Sequence, residues 1–235
     1  MTDTPTPRPW IETPWDARAL GVPTYELTSN GPDAMALLAG VSGHFTAKIP
    51  PRQDATPLRR AGFYYCDTLL EPWGTGDDLR PAEDPQASFL RDMAWPDLLR
   101  IGHGAFFGRY HRDPAISREK ADARYDQWLR ELHEREAVYG LLYGGRPAGF
   151  IAVLDGMFVL HAMAAEFRGR GLARALWTLV IRDQFASGQA VLHSSVSAGN
   201  LPIVNLYASL GFRFRNPLDV YHAWFPPPDG PALIS

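Results

Sequence analysis

The sequence predicts an α/β protein in two units. Three observations carry that reading. Short strand-like runs alternate with helix-like runs along the chain, glycine-bearing turns join them, and an acidic Pro/Gly-rich stretch, Glu71 to Pro85, separates two such series. With 235 residues the chain can bury one large core or two small ones. The stretch divides it into a first α/β unit at 1–75, a linker at 76–87 and a second unit at 88–235.

The first nine residues are rich in Pro and Thr and predict a loosely attached tail, with order beginning near Trp10 or Trp15. A short strand follows from Tyr25, then a helix (Asp33 to Ala39), a strand (Phe45 to Ile49), a helix (Thr56 to Ala61) and a strand (Phe63 to Leu70). The second unit opens with a strand at Ser88 to Ala94 and a helix from Pro96 to Phe106, where Pro stands in the tolerated first turn. After a loop at Gly108 to Ile116, Ser117-Arg-Glu-Lys starts a helix to about His133 with Ala121, Tyr125, Trp128 and Leu132 on one face. Val138 to Tyr143 and Ala148 to Leu154 form a hairpin across Gly144-Gly145. Asp155-Gly156 turns the chain into a strand at Met157 to Met163, and a helix follows from Leu172 to Phe185. Ala190 to Val196 is a strand and Pro202 to Leu210 a helix. Phe212 to Phe214 and Val220 to Phe225 are two closing strands. Leu58 to Phe63 echoes Tyr207 to Phe212, each ending a helix in Gly and entering a strand with Phe; a repeat and a shared stop signal explain this equally.

Composition excludes several classes. A net charge of −3 lacks the basic face that nucleic-acid binding needs. No apolar run reaches the ~20 residues of a membrane span, and the start has no signal-peptide h-region, so a cytoplasmic protein is expected. One cysteine, Cys66, excludes an intramolecular disulfide, and the seven histidines show no metal-ligand spacing, so no metal is expected.

The most legible chemistry lies in Arg168-Gly169-Arg170-Gly171-Leu172-Ala173, between a strand and a helix. Glycines let a backbone approach a ligand, and a helix start aims unpaired N–H groups and the positive dipole end at an anion. Arg168 and Arg170 add charge. Downstream come Asn200 and Asn205-Leu-Tyr207-Ala-Ser-Leu-Gly211-Phe212. In this order the strand, the Arg168-x-x-Gly171-x-Ala173 turn and the Tyr-x-x-x-Gly-Phe motif resemble the GNAT acyltransferase superfamily from about Ser88 to Phe225. The resemblance implies the GNAT fold, a central mixed, mostly antiparallel sheet flanked by helices, with an N-terminal half-GNAT unit before it. It implies acetyl-CoA as cosubstrate and a small-molecule amine as acceptor, in a monomer or homodimer. It places the pyrophosphate at Arg168 to Ala173, the pantetheine arm along His161, Ala162 and Met163, and Asn200 and Asn205 beside the cofactor. Asn200 is equally read as the cap of the helix it precedes, and His161 as a packed strand residue.

In this superfamily the tyrosine matched by Tyr207 commonly protonates the departing thiolate. A phenol of pKa about 10 can do so; the other reading is a packed helix residue. Trp15 to Val22, Arg60-Ala-Gly62-Phe63, Ala105 to Pro114 and Tyr125-Asp-Gln-Trp128 further resemble one branch, the bacterial TDP-fucosamine acetyltransferases. That resemblance implies an amino-sugar acceptor and gives Asp67 the place of a residue that relays the amine's proton through water; a solvent-exposed strand-end Asp is the alternative. Arg109, Tyr110 and His111 suit an anionic, hydroxylated substrate, since Arg pairs with phosphate and an aromatic ring stacks on a sugar or base; an ordinary surface loop is the competing reading. Cys66 as an acyl-enzyme nucleophile is disfavoured, because no histidine neighbours it in sequence.

Overall fold

A computed structural model describes residues 8–226. The predicted tail falls mainly on residues 1–7, outside the described residues, and β1 (Trp10–Glu12) begins where order was expected. The described residues form two compact units. One takes in residues 8–68, Arg109–Arg124 and 218–226, and the other Leu69–Gly108 and Tyr125–Pro217. The units are thus interleaved in sequence, whereas the linker composition placed one boundary at 76–87. Two strands, β4 (Tyr64–Gly74) and β11 (Arg213–Phe225), pass from one unit into the other.

The first unit is a five-stranded assembly in the order β1, β2 (Thr24–Leu27), β3 (Gly43–Ile49), β11 and β4. β2 and β3 are parallel, and β3 and β11 antiparallel in unbroken register from Asp219↔Ile49 to Phe225↔Gly43. Alternation along a strand puts Phe45, Ala47 and Ile49 on one face with Tyr221 and Ala223, where they bury a core with Leu38, Leu58 and Phe63. α3 (Thr56–Arg60) supplies Leu58, and Met35 of α2 (Pro32–Ala36) packs against the same core. The opposite face carries His44, Thr46 and His222, all buried and polar. The sequence reading omitted α1 (Pro14–Leu20), although Pro14 at its start and Gly21 at its end are ordinary helix boundaries.

The second unit orders its strands β4, β9 (Leu192–Ser194), β8 (Met157–Met163), β7 (Arg146–Leu154), β6 (Val138–Tyr143) and β5 (Ala87–Leu90), with β10 (Val196–Ser197) also on β4. The pairs are antiparallel except β8 with β9, so this is the mixed, mostly antiparallel sheet expected. α4 (Trp95–Gly102), the C-terminal part of α5 (Arg118–Glu134), α6 (Ala173–Ala186) and α7 (Leu201–Ser209) belong to the same unit. Phe150, Leu160, Trp177, Val180, Ile181 and Leu210 are among its buried core. Ser117 caps α5 through a hydrogen bond from Lys120 N, as its sequence signal predicts.

Three readings change. Glu71 to Gly74 is the end of β4 rather than linker, with Pro72 buried in it, and the rest of the stretch is pinned: Arg80 N donates to Leu210 O and Ala82 N to Thr178 Oγ1. The two closing strands are one, β11, which runs through Asn216 and Pro217, with Asn216 at φ +47°. The strand read at Ala190 to Val196 is two short ones, β9 and β10. The Gly-Phe echo is a shared stop signal in geometry. Phe63 N reaches Leu58 O and Phe212 N reaches Tyr207 O, each at 3.0 Å, the bonding of a Schellman cap. Among the described residues no helix is long and apolar enough to cross a membrane.

Candidate active site

β8 carries the first part of the site because only the first two residues of one edge are paired. On the β7 side its register runs from Leu154↔Met157 to Gly149↔Met163. On the β9 side it stops after Met157↔His193 and Phe158↔Ser194, because the next strand, β10, pairs with β4 at Val196↔Leu70. Among the described residues, the β9-facing edge from Val159 to Met163 therefore has no strand beside it. His161, Ala162 and Met163 lie on that open stretch, where backbone groups can take an extended ligand as an added strand.

The strand leads through a short 3-10 turn, Ala165–Phe167, into the glycine turn. Gly169 and Gly171 stand at φ +70° and +75°, a conformation that costs a residue with Cβ about 1–2 kcal/mol. A Cβ at either position would meet nothing within 4 Å, so backbone conformation rather than crowding calls for glycine, and the space over the turn is open. Leu172 is the N-cap position of α6, whose first turn has neither a side-chain cap nor an acidic residue. Its leading N–H groups and dipole suit an anion. Arg168 donates from Nε to Met163 O at 2.8 Å, which ties the turn to the end of β8, and Arg170 lies over Phe167, 5.6 Å from the ring centroid. Ala173 is the first residue of the helix.

α7 supplies the other candidates. Asn200 is its N-cap, Oδ1 accepting from Ile203 N, so the capping reading of Asn200 is observed. Asn205 is exposed on the same helix. Tyr207 is 0% exposed, with Phe212 and His161 edge-on to its ring and Phe158 stacked with it. Its hydroxyl lies 3.4 Å from His161 Nε2. Burial raises the phenol's pKa, opposed by the Ser194 and Trp177 side chains, so it is protonated at neutral pH. Burial pushes the His161 imidazole down to about 4, against a hydrogen bond to its own backbone. The structure thus brings together His161 and Tyr207, and separately Met163 and Arg168.

Asp67, Arg109, Tyr110 and His111 belong to the first unit. Asp67 is 1% exposed, which removes the reading of a solvent-exposed strand end. Its Oδ1 accepts from Arg112 Nη1 at 3.0 Å and from Thr68 N at 2.9 Å. Nor is 109–111 an open surface loop: Tyr110 is 1% exposed and takes a hydrogen bond from Arg109 Nη2 on its hydroxyl, and His111 Nε2 lies 2.9 Å from Asp122 Oδ1. Burial, and then the Asp113 charge, push the Cys66 thiol up to about 12, which argues further against a nucleophile.

Sequence spacing missed one cluster in this unit. The Asp113 carboxylate, fully buried, accepts from Tyr64 OH (2.7 Å) and Ala115 N (2.8 Å) on Oδ1, and Oδ2 faces His222 Nδ1 (2.6 Å) and His44 Nε2 (3.1 Å). Burial pushes the carboxyl pKa up, but the bonds from His222, His44 and Tyr64 together outweigh it and hold it well below the usual range. His44, Asp113 and His222 could by donor type hold a metal ion. The Asp113–His222 and Asp113–His44 separations, 2.6 and 3.1 Å, are hydrogen-bond distances.

Known proteins resemble both the sequence and this geometry. The model of the acetyltransferase (GNAT) family matches residues 95–212, half of the chain. The spore coat polysaccharide biosynthesis protein SpsD of Bacillus subtilis (strain 168) is 29% identical over 126 residues, a match covering 49% of this chain but only 42% of that protein. A functionally unknown conserved protein from Staphylococcus epidermidis aligns over 89% of this chain and 88% of its own at 14% identity and a TM-score of 0.60. A GCN5-related N-acetyltransferase from Sphaerobacter thermophilus gives 18% and 0.55 over 82% and 63%. A tandem GNAT protein from the clavulanic acid biosynthesis pathway gives 15% and 0.53 over 87% and 76%. At these identities the solved structures speak for the fold alone, which is the GNAT fold, a mixed sheet flanked by helices. With strand, turn and helix in the order its family model spans, the chain belongs to the acetyltransferase (GNAT) family.

Proposed function

We propose that this protein is an N-acetyltransferase that moves an acetyl group from acetyl-CoA directly to a primary amine. One observation carries the reading: the open edge of β8 runs into the two positive-φ glycines and the uncapped start of α6. An acetyl-CoA laid along that track would pair its pantetheine amides with the edge at His161 to Met163 and set its pyrophosphate on the amides of Arg168 to Ala173. The amine nitrogen then attacks the thioester carbonyl, the C–S bond breaks and the thiolate takes a proton. Tyr207 is the proposed donor, its raised pKa keeping the proton available at neutral pH. The proton lost by the amine passes to solvent, and Asn205 would face the cofactor.

For the acceptor we propose an amino sugar, such as a TDP-linked amino-dideoxyhexose. The partial likeness to a polysaccharide biosynthesis protein supports that class. Release of free CoA thiol from acetyl-CoA, followed with a panel of nucleotide-linked amino sugars and simple amines, tests the proposal. Turnover with at least one amine is expected, and turnover in Tyr207→Phe at the wild-type rate with acetyl-CoA still bound would remove Tyr207 as the donor.

A second reading rests on the complete enclosure of Tyr207: a non-catalytic module that binds CoA or a nucleotide, to sense it or to hold a partner. Tight CoA binding with no thiol release on any amine would favour it.

A further inference from the structure

His161 lies three residues beyond Phe158, the last β8 residue paired with β9, and its side chain meets two helices of the same unit. The ring is edge-on to Trp177 of α6, centroids 5.5 Å apart, and to Tyr207 of α7 at 6.0 Å. We propose that His161 is the positioning residue for Tyr207, its Nε2 accepting the phenolic O–H and fixing where that proton sits before transfer. This rests on the reading of Tyr207 as the proton donor.

Nε2 is the ring atom turned to Tyr207. In the proposed pair it presents a lone pair, so the neutral ring carries its hydrogen on Nδ1, the nitrogen nearer the main chain. Other neighbours do not compete for the phenolic proton. Trp177 Nε1 is a donor only, and Ser194 Oγ commits its own hydrogen to Phe158 O at 2.7 Å, leaving a hydroxyl oxygen that is a weaker acceptor than imidazole. At 3.4 Å the Tyr207–His161 contact is longer than the ~2.8 Å optimum for a hydroxyl donor. Catalytic hydrogen bonds are often long without substrate and tighten in the complex.

Nitrogen NMR of the full-length protein, with histidines labelled, reads the pair without any acceptor. The expected result at pH 7 is a neutral His161 with the proton on Nδ1 and an Nε2 resonance that moves in Tyr207→Phe. A proton on Nε2, or a resonance indifferent to Tyr207→Phe, overturns the proposal.

Kinetics supply the second arm. In the thiol-release assay His161→Phe should lose about tenfold or more in turnover, a part of the 10²–10⁴-fold that acid–base catalysis is worth, while acetyl-CoA affinity, to which His161 is proposed to contribute through its backbone, changes far less. His161→Gln, which restores an acceptor, should recover most of it. His161→Phe combined with Tyr207→Phe should be no slower than Tyr207→Phe alone, because the two act as one unit; losses that multiply would show that His161 does not act through Tyr207. Should the wild-type protein acetylate no amine, the functional reading falls, and the NMR result alone decides the pair.

Discussion

β3 and β8 are both seven-residue strands inside mixed sheets, yet their neighbours treat them oppositely. β3 is paired with β11 along its whole length, and the polar face of the two strands is closed by Asp113, which gathers donors from His44, His222, Tyr64 and its own loop. β8 loses its β9 partner after two residues and ends at a turn with open space over both glycines. The first arrangement satisfies most of its buried polar groups internally, His222 Nε2 being an exception, which rigidifies it and leaves little for a ligand to bind. The second leaves backbone groups and a helix start available. Binding energy is expected from the second unit, and stability from the network in the first.

The largest effect should come from removing the hub. Asp113→Ala leaves two imidazoles, a phenol and an amide without their acceptor, at a cost of about 3 kcal/mol or more in urea unfolding. At temperatures where the variant stays folded its acetyl-CoA affinity should be near wild type; a large loss there would break the comparison.

Acid should act on both units. His222 and His161 have an ordinary pKa of 6.5 and are each pushed by burial to about 4. Between those values the unfolded chain binds protons that the folded chain does not. Stability is therefore complete above 6.5 and lost as pH falls from 6.5 towards 4, by about 1.4 kcal/mol per pH unit for each histidine. His222→Gln and His161→Gln should each remove one proton's share of that slope in unfolding measured between pH 4.5 and 6.5. An unchanged slope in either would mean that its histidine is protonated in the fold.

Two glycines give a matched pair. Gly21 and Gly171 have φ of +74° and +75°, and a Cβ on either would meet nothing within 4 Å. Ala at each should cost a similar 1–2 kcal/mol of stability. Only Gly171→Ala should weaken acetyl-CoA, by about tenfold or more as titration calorimetry would read it, because its backbone is meant to face the pyrophosphate. Equal affinities in the two variants would take the turn out of the binding site. The smallest effect belongs to Asn200→Ala, about 1 kcal/mol of stability for a lost cap. A loss of acetyl-CoA affinity beyond what that destabilisation explains would place Asn200 beside the cofactor as well as at the cap.

What could be read from the sequence tracks how local its cause is. β6, β7 and β8 were legible because Gly144-Gly145 and Asp155-Gly156 punctuate them, and α6 because the glycine turn precedes it. Pro72 and Pro217 misled for the same reason in reverse. Proline signals a break, and only tertiary pairing shows that β4 and β11 run through it. The candidate site divides likewise. The turn and Tyr207 sit in local motifs, whereas Asp113 meets His44 across 69 residues and His222 across 109, a separation no spacing rule spans. Likewise the open edge of β8 depends on β10 pairing with β4, so the motif pointed to the binding track without revealing why that edge is free.

Hydrogen exchange of the full-length protein with and without acetyl-CoA tests the contrast between the units most directly. Protection is predicted at the amides of His161 to Met163 and Gly169 to Arg174, with exchange around Asp113, His44 and His222 slow in both states and unchanged by the ligand. Protection confined to the first unit, or none at the glycine turn under saturating acetyl-CoA, would contradict it.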